Sequence, residues 1–70
     1  MIALDVPARV LQKLDELRRL CPDMRLGQIL ATVGMLGEDS TGRGLWDIGD
    51  EELSEAVERF AGDLSRRTDA

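Results

Sequence analysis

Four carboxylates stand close together at Asp47, Asp50, Glu51 and Glu52, and Arg25, Gly27 and Gln28 interrupt an apolar run in "CPDMRLGQIL". Clustered carboxylates can hold a cation or exchange protons, and a lone arginine can hold a phosphate or a carboxylate. The acids lack the ligand spacing and the obligatory glycine of a calcium loop. Glu51 and Glu52 sit where helix starts commonly collect acids, and Asp50 is placed to cap such a start. Capping is therefore the expectation for this cluster. Cys21 falls at the expected carboxyl end of a helix, away from any base or helix amino terminus that would lower its pKa, so it reads as a small core residue. "STGRG" has glycines but neither the strand–loop–helix setting nor the lysine of a phosphate-binding loop. The chain has no histidine and no tyrosine, and no nucleophile–base pair can be assembled. The expectation is a protein that is not an enzyme, with no catalytic residues, no cofactor and no metal site.

Elements that position these residues must come from a chain of 70 residues. A domain of this size buries only about 60% of its unfolded surface, and small domains commonly gain stability from disulfides, metals or association. A single cysteine leaves association as the expected supplement, and a homo-oligomer is anticipated. "MIALDVPARV" has no basic segment followed by a long apolar run, and no stretch approaches the roughly 18 apolar residues of a membrane span. A cytoplasmic protein without a membrane partner is expected. Net charge is −5, with residues 1–37 summing to +1 and residues 38–70 to −6. Such a surface repels phosphate, so nucleic acid is not the expected partner, whereas a basic protein would suit it.

Val10, Leu11, Leu14, Leu17 and Cys21 keep helical spacing, with Pro7 near the start and Pro22 forcing a stop. This predicts a helix over residues 7–21. Leu26, Ile29, Leu30, Val33 and Leu36 predict a second helix over 27–37, almost free of charge and ended by Gly37. Such a helix should be covered on most sides. Residues 37–44 form a loop, and Leu45, Trp46 and Ile48 a brief extended segment. Leu53, Ala56, Val57, Phe60, Ala61 and Leu64 predict a helix over 50–67, with Glu55–Arg59 and Asp63–Arg67 as surface pairs. The fold class is all-α or mainly α: one small three-helix domain in which residues 24–26 and 45–48 pair as a minimal two-stranded ribbon.

The two motifs together, Pro22, Asp23, Arg25, Leu26, Gly27 and Gln28, then Trp46, Asp47, Asp50, Glu51, Glu52 and Leu53, resemble a group of short bacterial proteins of uncharacterised function. The resemblance covers roughly residues 8–62 and implies no particular activity. In a joint physical reading, Gly27 admits another backbone or the Trp46 ring, Arg25 reaches Asp47 or Glu52, and Gln28 bonds to nearby backbone. Arg25 then clamps the two motifs together. Asp23 is an alternative cap for the second helix. As the only aromatic besides Phe60, Trp46 suits either the core or an interface, with the core slightly favoured.

The functional expectation is an acidic protein-interaction module, self-associating, that serves as an accessory or neutralising partner of a basic protein. The alternative is a ribbon-helix-helix-like DNA-binding regulator, because the alternation of Ile2, Leu4 and Val6 before a helix that opens at a proline resembles the start of that family. Its outward strand residues, Ala3 and Asp5, are poor readers of bases, and Asp5 repels phosphate.

Overall fold

The computed structural model describes residues 5–68. Three helices follow in order: α1 (Val6–Leu20), α2 (Leu26–Thr41) and α3 (Asp50–Thr68). Asp5 opens α1, its carboxylate accepting the Ala8 N–H at 2.9 Å. Pro7 follows in the first turn, where its missing N–H costs nothing. Arg18 and Arg19 occupy the last turn, favourable against the helix dipole. The helix stops at Cys21, whose N–H bonds the Leu17 carbonyl at 3.0 Å, before Pro22.

α2 runs four residues past Gly37, the expected terminator, to Thr41. The end comes at Gly42, whose φ of 75° lies in the left-handed region that glycine adopts without strain. Gly42 donates to the Glu38 carbonyl at 2.8 Å, and the Thr41 hydroxyl donates to the Gly37 carbonyl at 2.7 Å. These bonds carry the helix through "EDST", in which Asp39, Ser40 and Thr41 are modest helix formers.

α3 also begins differently from expectation. Gly49 stands at the cap position, donating its N–H to Glu52 Oε1 at 3.0 Å, while Leu53 donates to the Gly49 carbonyl at 2.9 Å. Asp50 is therefore the first helical residue and not the cap. Its contribution, with Glu51 and Glu52, is negative charge in the first turn.

Val10 and Leu17 of α1, Ile29 and Val33 of α2, and Ala56, Val57 and Phe60 of α3 make the buried core, edged by Leu14, Met24, Leu36, Leu53 and Leu64. Leu17, Ile29, Val33 and Val57 are fully enclosed, and each stabilises the fold by roughly 1.5–3 kcal/mol relative to exposure. α3 packs against both other helices, whereas α1 and α2 touch each other much less. Lys13 reaches Glu16 at 3.1 Å and Glu58 of α3 at 3.8 Å. These partners, the hydrogen bond to Glu16 foremost, hold its ammonium above the ordinary pKa. Arg59 leaves Glu55 and reaches Asp39 of α2 at 3.4 Å. Asp63 pairs with Arg66; the Arg67 side chain lies outside the described part.

No strand forms among the described residues, so the ribbon between 24–26 and 45–48 is absent. Residues 22–24 make a tight turn, closed by the Met24 N–H on the Cys21 carbonyl at 3.0 Å, and Leu26 is already helical. Residues 45–48 fold back on themselves, with Asp47 and Ile48 donating to the Gly44 carbonyl at 2.9 and 3.1 Å. N–H groups bonded locally in this way are not available to a neighbouring strand. Ile2 and Leu4 of the alternating run lie outside the described residues, while Asp5 and Val6 belong to the start of α1.

Candidate functional site

The connection between α2 and α3 gathers most of the polar bonding between elements. Arg43 holds both carboxylate oxygens of Glu52, and Glu52 also accepts the Gly49 N–H. The Gly49 bond foremost, then Arg43, draws the Glu52 carboxyl below its ordinary pKa. Arg43 is anchored in turn, its N–H donating to Thr41 Oγ1 at 3.0 Å. Both ends of the turn are thus tied to helices. Two apolar side chains fix its middle. Leu45 Cβ lies 3.8 Å from where a β carbon on Gly34 would stand, and Ile48 Cδ1 lies 3.1 Å from the same position on Gly37.

With Leu45 and Ile48 turned onto α2, Trp46 points outward and is 97% exposed. It is no core filler: Phe60, buried with Val57 and Ala56, holds that place. Asp47, Asp50 and Glu51 are exposed within five residues of it. Of the nearby charges, Arg43 is taken up by Glu52 and Arg59 by Asp39, which leaves an acidic excess around the indole. Met35, 71% exposed, lines a depression of about 430 Å³ with Glu38 and Asp39.

The residues singled out in the sequence divide into two groups. Trp46, Asp47 and Asp50 belong to this turn. Arg25, Gly27 and Gln28 lie at the other end of α2, whose 16 residues span about 24 Å. Arg25 therefore does not clamp the motifs. It is exposed, takes the cap position of α2 with extended backbone, and makes no ion pair among the described residues. The arginine that does reach Glu52 is Arg43, nine positions upstream of it. Gln28 accepts the Arg25 N–H through Oε1 at 2.8 Å. The bond is one-sided, because a guanidinium has no acceptor with which to return it. Gly49 and Glu52 repeat the same arrangement at α3. A β carbon on Gly27 would meet nothing within 4 Å, so the close approach expected there is absent; Gly37 is the glycine that makes one. Asp23 lies in the turn before Arg25 and does not cap α2. Cys21 is a free, half-buried thiol.

Compared with protein families, with curated proteins and with solved structures, the chain finds no match in any of the three. The resemblance carried by the two motifs thus rests on those residues alone. Among the described residues no helix is long and apolar enough to cross a membrane, and no three His, Cys, Asp or Glu side chains gather as metal ligands would. Fold and site together define a three-helix domain that presents one tryptophan on a doubly tethered turn.

Proposed function

We propose that this protein is a non-enzymatic interaction module of the cytoplasm that self-associates and inserts Trp46 into a basic partner protein, as an accessory or neutralising subunit. The observation that carries the reading is the exposure of Trp46 on a turn held at both ends. Tryptophan is enriched among residues that dominate binding energy, and an indole left wholly in water has apolar surface to gain from a partner. The surrounding acids select positive charge. An arginine or lysine beside the partner's slot would meet Asp47, Asp50 or Glu51, or stack on the indole face. The chain's charge speeds encounter with such a partner and slows encounter with nucleic acid.

Affinity capture with the full chain, run beside Trp46→Ala and followed by mass spectrometry, tests this. A basic protein retained by the wild-type chain and lost with Trp46→Ala is the expected result. Gel-shift assays on duplex DNA at moderate salt test the DNA-regulator alternative. Tight binding that weakens steeply with salt would overturn the module reading in favour of the regulator.

A further inference from the structure

We infer that the trough between α1 and α2 is the face on which a second copy of this chain docks, in antiparallel fashion about a twofold axis. The inference rests on the self-association proposed above and names its surface. The trough follows from how the helices pack. Because α1 and α2 both lean on α3 and touch each other little, a gap of about 310 Å³ stays open between them, lined by Leu11, Leu14, Asp15, Arg18, Leu26 and Leu30. Leu11 is 67% exposed, Leu26 51% and Leu30 36%. Gly34 lies one turn beyond Leu30 on the same helix. Leu45, seated over Gly34 and 47% exposed, extends the apolar strip toward the α2–α3 turn.

Two quantities point to a second copy as the occupant. The first is area. Four leucines exposed to this degree offer on the order of 350 Å². Two copies face to face remove twice that from water, and their rims bring the total near the ~1,200 Å² at which specific interfaces begin. The second is charge. The polar rim holds Asp15 and Arg18, paired at 3.0 Å, with Arg19 on the other oxygen of Asp15 at 2.9 Å, and α2 carries no charge from Leu26 to Leu36. Such a face does not repel its twin. In an antiparallel pair each Arg18 comes to lie across from the other copy's Asp15, the self-complementarity that a twofold interface requires. The excess of acids, −6 over residues 38–70, lies on the other part of the chain and steers a basic partner there.

The test is sedimentation velocity on the full chain from micromolar to millimolar concentration, with circular dichroism confirming the helices of each variant. The wild-type chain is expected to dimerise with concentration. The double variant Leu11→Glu with Leu26→Glu is expected to weaken dimerisation at least 100-fold, because it places four carboxylates in a closed apolar contact. Leu11→Gln alone, at a more exposed position, gives a milder reading of about tenfold. Met35→Glu, beside Glu38 and Asp39, is expected to leave the dimer intact. A double variant that stays folded and dimerises like the wild-type chain overturns this face but leaves self-association standing. A dimer broken by Met35→Glu and not by the leucine variants does the same. A wild-type chain that remains monomeric at millimolar concentration overturns both.

Discussion

The packing of Ile48 onto Gly37 can be weighed against that of Leu45 onto Gly34 by adding one methyl at each glycine. Both glycines are inside α2, so either alanine substitution gains about 0.8–1 kcal/mol of helix propensity. At Gly34 the new β carbon would stand 3.8 Å from Leu45 Cβ and 4.0 Å from Cδ2, ordinary contact distances that add attraction. Gly34→Ala should therefore stabilise the fold by about 1 kcal/mol, raising Tm by roughly 4–8 °C. At Gly37 the β carbon would stand 3.1 Å from Ile48 Cδ1, with Ala56 Cβ at 3.9 Å behind it. Ile48 must then swing its terminal methyl aside, at a cost of about 0.5–1.5 kcal/mol if it leaves its rotamer well. That cost cancels the propensity gain, so Gly37→Ala should fall within about 0.5 kcal/mol of zero. Gly37→Val drives a second carbon into the same contact and should destabilise by about 1–3 kcal/mol. Thermal melts and urea titrations at low micromolar concentration, followed by circular dichroism at 222 nm, give the three values. If Gly37→Ala raised Tm as much as Gly34→Ala and Gly37→Val were tolerated, Ile48 would not be seated on α2 and the fixed turn would lose its basis.

Arg25→Ala should change stability by less than about 0.5 kcal/mol, as for an exposed side chain without a partner. Gln28→Ala should cost about 0.5–1 kcal/mol by leaving the Arg25 N–H without its acceptor; urea unfolding distinguishes the two. Because Glu52 has its pKa lowered by folding, its contribution is whole above the ordinary glutamate range and is lost as pH falls through the lowered value. Glu52→Gln should accordingly melt below the wild-type chain at neutral pH, and the gap should close as the solution is acidified. Trp46→Ala should leave Tm within about 1–2 °C of wild type, since the indole touches little of the fold, and should remove all tryptophan emission, Trp46 being the one tryptophan of the sequence.

Helix existence was legible because apolar spacing of 3.6 residues is set by burial against a common core, and Leu17, Ile29, Val33, Val57 and Phe60 obey it. The end of α2 was not. Gly37 has the residue type of a terminator, yet its small size serves the approach of Ile48, a contact made 11 positions away in the chain. The terminator is Gly42, in a stretch whose composition reads as loop. Leu45, Trp46 and Ile48 have the residue types of a strand, while the bonds to the Gly44 carbonyl that curl them depend on backbone geometry. Arg25 and Arg43 are alike as charges. Only the length of α2 decides which of them reaches Glu52. For Trp46, scarcity of aromatics leaves core and interface nearly balanced, and only the turn's anchoring by Leu45 and Ile48 decides for the exposed position. Glu51 and Glu52 stood out as acids of a helix start, and the structure places them in the first turn of α3.

The tethering of the 42–49 turn to both α2 and α3 would tie occupancy by the proposed partner to the survival of the folded chain. Trp46 is held outward by Leu45 on Gly34, Ile48 on Gly37 and Glu52 on Arg43, and these contacts are lost when the helices separate. A partner that grips the indole therefore binds the native state and has little hold on the unfolded one. At a hundred times its Kd it would add about 2.7 kcal/mol to native stability, a large fraction for a domain of this size. Proteolytic lifetime and melting temperature would then rise with partner concentration, making the protein's abundance a readout of its partner's.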